Sequence, residues 1–88
     1  MKIKFAGQFK RDFKRAKKQK KNLDALEDII TKLVRGKKLG PRYHDHKLHG
    51  EWAEHKCCHI QPDWLLIYKI ESNTLYLGRV GSHAELFK

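Results

Sequence analysis

Acidic residues, proline and pairable cysteine are all scarce in this chain of 88 residues. Asp and Glu number 10 against 20 Lys and Arg, which leaves a formal charge of +10 before any histidine titrates. The two cysteines, Cys57 and Cys58, are neighbours. A bridge between neighbours is strained, which excludes a disulfide-stapled scaffold. With 2 Pro and 6 Gly, there is no Pro/Gly-rich linker and no sign of a second domain. No apolar run approaches the ~18 residues of a membrane span. Met1 to Phe5 has no long apolar core of the kind a secretory signal needs. The expectation is a cytoplasmic, reduced protein with no membrane partner. A hydrophobic share of 40% is too high for a disordered polycation, so residues 1–88 form a single small domain.

What charge there is sits in one half. Residues 1–44 carry 15 Lys/Arg and 4 Asp/Glu, whereas residues 45–88 carry 5 and 6. The histidines run the other way. None precedes His44, and five of the six fall between His44 and His59. One half therefore supplies a cationic field suited to a polyanion. The other supplies groups that titrate near neutral pH. A solvated helix face that keeps the protein soluble would give the same charge pattern.

Hydrophobic period divides the chain into elements. Lys2 to Phe5 alternates polar and apolar, as a short strand with one buried face does. Phe9, Phe13 and Ala16 share one helical face. Asn22 is a good N-cap, and Asp24 suits the first turn. Leu23, Leu26, Ile29, Ile30, Leu33 and Val34 form the stripe of a second helix, which Gly36 stops. Two antiparallel helices thus occupy residues 8–35. Residues 36–50 read as a loop punctuated by Gly36, Gly40, Pro41 and Gly50. Glu51 to Ile60 reads as a strand and Gln61-Pro62-Asp63 as a turn. Trp64 to Ile70 is an almost unbroken apolar run, the pattern of a central strand. Thr74 to Val80 returns from it as a hairpin. The last residues suggest one helical turn. This order, β-α-α-β-β-β, predicts an α+β fold with both helices on one face of a mainly antiparallel sheet. The opposite face is left open and concave.

The residues with chemical potential concentrate between Tyr43 and Trp64. A metal site is one reading of so many imidazoles. However, Cys57-Cys58 is not C-x₂-C, and His55 and His59 lie four apart on a strand, so neither metal nor cofactor is expected. Many of these residues also have ordinary structural uses: His44, His49 and His55 as surface residues, Trp52 and Trp64 as core aromatics, Asp63 as a turn acid. The remaining reading is acid–base chemistry on RNA. Cleavage through the 2′-OH needs a base, an acid and cations around the phosphate. Imidazoles serve the first two needs; Lys56 and Arg79 would serve the third.

Three blocks turn this into a resemblance. They are Asp45-His46-Lys47-Leu48-His49-Gly50-Glu51-Trp52, then Cys58 to Tyr68 with His59, Asp63 and Trp64, then Arg79 to Phe87 with Gly81, Ser82 and His83. The chain resembles the YafQ branch of the RelE/ParE toxin superfamily over essentially its whole length. That resemblance implies the toxin of a type II toxin–antitoxin system, an endoribonuclease cutting mRNA on the translating ribosome. It implies His46, His59, Asp63 and His83 in the active site and Phe87 positioning RNA, with Trp64 as a second aromatic. Arg79 occupies a phosphate-binding position, and Lys56 stands where relatives tend to have arginine. It further implies an acidic antitoxin of ribbon-helix-helix type, with operator DNA bound only through the antitoxin complex. Two other functions suit the same fold: a ParE-like gyrase inhibitor and a non-enzymatic basic nucleic-acid-binding domain.

Overall fold

The computed structural model describes residues 1–87. In chain order the elements are β1 (Lys2–Phe5), α1 (Gly7–Lys18), α2 (Leu23–Val34), β2 (His46–Lys47), β3 (Lys56–Gln61), β4 (Trp64–Glu71), β5 (Thr74–Gly81) and α3 (His83–Leu86). Single 3₁₀ turns occupy Pro41–Tyr43 and Gly50–Trp52. The strands lie in the order β1-β5-β4-β3-β2. Only β1 and β5 run parallel; every other pair is antiparallel. The α+β class holds.

Local chemistry explains the elements. The Asn22 side chain accepts a hydrogen bond from the Ala25 N–H at 3.1 Å and starts α2. Gly36 adopts φ +72° just past its end. Ser72 and Asn73 both take positive φ, 51° and 56°, the left-handed pair that a two-residue hairpin demands. β4 is buried from Trp64 to Tyr68 and β5 returns beside it. One main core forms between the helices and the sheet, from Phe9, Ala16, Leu26, Ile29 and Leu33 against Cys58, Trp64, Leu66, Leu75 and Leu77.

Four features differ from the sequence expectation. All four residues of β1 are exposed, so it has no buried face; it is an outer strand with a neighbour on one edge only. The expected loop at 36–50 contains β2, too short for its pattern to register. The strand expected at Glu51–Ile60 begins only at Lys56. Before it, Gly50 at φ +72° and Glu54 at φ +73° bend the chain away from extended geometry. The sheet face opposite the helices is not bare. Cys57, Leu65, Ile67 and Leu86 are buried there, and Leu48 and Trp52 pack on them.

A single carboxylate joins the layers. Asp12 of α1 is 1% exposed. Its Oδ2 accepts from Arg79 Nε at 2.7 Å and from the Val80 N–H at 3.1 Å. Its Oδ1 accepts from Arg79 Nη2 at 3.2 Å and Arg15 Nη2 at 3.1 Å. β1 pairs with β5 only as far as Leu77, so Asp12 takes up a backbone donor that no strand reaches. Removing one partner of a buried ion pair leaves the other charge uncompensated. Asp12→Ala is therefore expected to cost about 3–5 kcal/mol in urea unfolding. Glu71→Ala, which breaks an exposed pair with Lys69, should cost at most about 1 kcal/mol. Equal losses for the two variants would remove Asp12 from its central role.

Candidate active site

Strand parity decides which side chains meet. On β3, Cys57 packs in the cluster opposite the helices and Cys58 in the main core. Side chains alternate along a strand, so His59 points to the same face as Cys57. His46 pairs directly with Cys57 across the β2–β3 ladder and shares that face. The α3 turn then brings His83 over from the end of β5. The ring centroids of His46 and His83 lie 6.5 and 5.6 Å from that of His59. Three imidazoles from distant parts of the chain converge.

Each is held differently. His83 is anchored by Asp63, whose Oδ1 accepts from the His83 backbone N–H at 3.0 Å and lies 2.7 Å from Nδ1. With Asp63 ionised, Nδ1 carries the proton, and Nε2 is left free. His46 Nδ1 donates to the His44 carbonyl at 2.7 Å, which likewise frees Nε2. α3 itself is fixed by a capping box between Ser82 and Glu85 and by an Arg15–Glu85 ion pair at 3.1 Å. Gly81 permits the close return: a Cβ there would lie 2.9 Å from the Glu85 carboxylate.

The environment tunes two of these groups. Asp63 is held below its usual carboxylate range, first by the His83 backbone N–H and then by the imidazole. His59 is pushed below the ordinary imidazole value, first by desolvation and then by the neighbouring His44, His83 and His46. It is therefore neutral at pH 7.

The structure adds a fourth imidazole and withdraws other residues. His44, expected as a plain surface residue, stands 5.1 Å from His59, centroid to centroid. Its left-handed backbone, φ 47° and ψ 42°, ends the Pro41–Tyr43 turn and aims the ring there. No sequence period marks such a turn. His49 is exposed, and His55 stacks edge-on against Trp52. Trp64 is 2% exposed within the main core and offers no face to a base. Lys56 shares the parity of Cys58 and points to the helix side. Its Nζ pairs with Asp45 at 2.7 Å, and that carboxylate also accepts from Tyr68. Arg79 lies on the imidazole face, in one row with His46, Cys57 and Ile67. Three strand spacings of ~4.8 Å set its backbone ~14 Å from that of His46. Two of its nitrogens are committed to Asp12. The rest of it lines a cleft of about 770 Å³ with Phe87 and Trp52. Phe87 is 40% exposed and follows His83 by four residues, one turn along α3. This cleft runs along α3, the element that carries His83. Among the described residues, no three His, Cys, Asp or Glu are arranged to hold a metal ion.

Comparison with known proteins fits this geometry. Residues 1–88 match the family model described as the bacterial toxin of type II toxin–antitoxin systems, YafQ. The mRNA interferase toxin YafQ of Escherichia coli K12 is 38% identical over 86 residues, covering 97% of this chain and 94% of that protein. The crystal structure of YafQ from E. coli BL21(DE3) superposes with a TM-score of 0.93 at 37% identity, covering 98% of this chain and 97% of that one. A chain of the E. coli DinJ–YafQ toxin–antitoxin complex gives 0.91 at 38% identity, covering 98% and 96%.

Histidine titration followed by NMR checks the electrostatics. His59 should titrate below 6.5, and His44→Ala should move its midpoint upward by removing a like charge. A His59 that stays neutral when folded but protonates when unfolded makes stability fall as pH drops below 6.5. An unshifted His59 midpoint in the parent chain would contradict the clustering. Asp63 should titrate below its ordinary value and rise only partly in His83→Ala, because the backbone donor remains.

Proposed function

This chain belongs to the YafQ family of type II toxin–antitoxin toxins, and from that membership we propose that it is an mRNA interferase whose imidazole cluster cuts the phosphodiester through the ribose 2′-OH. The observation that carries the chemistry is the convergence of His46, His59 and His83, with Asp63 behind His83. His59, neutral at pH 7, is the general base and takes the 2′-OH proton. The 2′-oxygen attacks phosphorus, and the bond from phosphorus to the 5′-oxygen breaks. His83, entering the step as the imidazolium, gives its Nε2 proton to that leaving oxygen and keeps Nδ1–H on Asp63, which balances the charge and fixes the ring's orientation. His46, in its imidazolium form with Nδ1 held by the His44 carbonyl, donates from Nε2 to the phosphate oxygens as charge gathers on them. Phe87 stacks on the base beside the scissile bond, worth ~1–3 kcal/mol, and Arg79 presents its remaining N–H edge to that nucleotide's phosphate. Lys56 and Trp64 have no part in this scheme, since one is paired to Asp45 behind the sheet and the other is core.

The cationic half holds the polyanion, and the translating ribosome is its natural source. The partner that silences the chain is a cognate antitoxin, acidic and of ribbon-helix-helix type, and operator DNA is bound only through that complex. Supporting this, an apolar groove between α1 and α2, formed by Phe5, Phe9, Phe13, Leu23 and Ile30, is rimmed by Lys10, Lys14 and Lys17. A segment with acidic and apolar faces fits such a surface. The site of action is the cytoplasm.

Single replacements test the assignment. His59→Ala and His83→Ala should each lower transcript cleavage on translating ribosomes by about 10²–10⁴-fold, and Asp63→Asn should lower it less. Lys56→Ala should leave the rate within about twofold, as expected for a residue outside the reacting groups. In the parent chain the rate should fall with pH below the depressed His59 value. Full activity in both His59→Ala and His83→Ala would falsify the acid–base scheme.

A further inference from the structure

A second cleft opens on the other side of the imidazole cluster. It measures about 540 Å³, within the range of small-ligand sites. His44 and His59 line it together with Asn22, Gln61, Arg42 and Tyr43. His59 is therefore common to the reacting centre and to this cleft.

The Arg42 side of the cleft is preorganised. The Arg42 guanidinium stacks on the Tyr43 ring, 4.7 Å from its centroid, and Nη2 donates to the Tyr43 hydroxyl at 2.6 Å. The same hydroxyl accepts from Lys32 Nζ at 3.1 Å. Two cations are thus anchored by one phenol. The one carboxylate on the cleft wall, Asp28, is engaged with Lys32 at 3.1 Å. Among the described residues Arg42 has no carboxylate partner; its hydrogen bond is to the Tyr43 hydroxyl. A planar cation with a fixed orientation and unsatisfied donors suits a phosphate. Inward of it, the exposed His44 imidazole offers an aromatic face beside His59.

We propose that this cleft is a nucleotide subsite for the RNA residue on the far side of the scissile bond from Phe87, with the base stacked on His44 and its phosphate on Arg42. The proposal rests on the ribonuclease reading above and extends it: the strand enters past Phe87, crosses the imidazoles, and leaves between His44 and Arg42. Neither residue belongs to the three sequence blocks that carry the family resemblance. The subsite is thus a means by which this chain sets its own preference for the neighbouring base.

Binding of a single-stranded RNA bearing 2′-O-methyl groups tests this, because such an RNA lacks the nucleophile and cannot be cut. The variants are Arg42→Gln and His44→Asn; asparagine tolerates the left-handed backbone, so the ring is removed without added strain. The double variant should bind about tenfold more weakly by fluorescence anisotropy, the scale of one lost stacked base. Lys69→Gln, which removes a charge on β4 outside the cationic half, should stay within about twofold of the parent. In cleavage assays the double variant should raise KM more than it lowers kcat and should relax the base preference at one position of mapped cut sites. Parental affinity in the double variant overturns the subsite, and so does an equal loss in Lys69→Gln, which would mean charge alone. If the parent chain binds but cuts no RNA, the ribonuclease reading fails while the binding comparison still decides the cleft.

Discussion

The buried Asp12–Arg79 ion pair is the constraint on which the rest of the molecule depends. It sets the helix layer against the sheet on the edge of β5 beyond the end of β1. Through Arg15 it continues to Glu85, and through Glu85 to the capping box of α3. His83 is carried on that four-residue turn, which is far too short to be stable alone. The position of the His83 imidazole is thus set by a carboxylate on the first helix, some seventy residues earlier in the chain. Arg79 illustrates how one side chain is divided between two duties. Two of its nitrogens hold the fold together and the remainder faces the cleft.

Much of the architecture was legible because it follows from periodicity. The helical stripe from Leu23 to Val34, the Asn22 cap, the apolar run from Trp64 and the Ser72-Asn73 turn each have a local physical cause, and each is where the pattern put it. What was illegible is non-local or too short. β2 has two residues, and no period can be read from two. Asp12 looks like any acid on a basic helix until its neighbours across the sheet are known. The exposure of β1 follows from its place at the end of the strand order, which an alternating pattern does not reveal.

The site was legible to a similar depth. His46, His59, Asp63 and His83 were named from the blocks, and the fold groups them. Lys56 and Trp64 lie apart from the imidazoles for a reason of parity. A residue adjacent in sequence to a site residue, or one placed an odd number of positions from it along a strand, faces the other way. His44 was missed because only its left-handed backbone turns it inward, and histidine is among the few residues that take such a conformation without glycine's freedom. The separation seen in the composition persists in three dimensions: the basic residues lie mainly on the helices, while the clustered imidazoles come from the sheet, the turn before it and the C-terminal turn.

The outermost strand has a consequence for the free protein. β1 shows Ile3 and Phe5 to solvent, and its outer backbone edge pairs with nothing among the described residues. Such an edge is a template for strand-to-strand association between copies. Lys2 and Lys4 alternate with the two apolar side chains, flanking Ile3 and preceding Phe5 with positive charge. Mutual repulsion between these ammonium groups, strongest in dilute salt, is what keeps an uncovered chain from zipping onto its neighbours, so its shelf life should shorten as ionic strength rises.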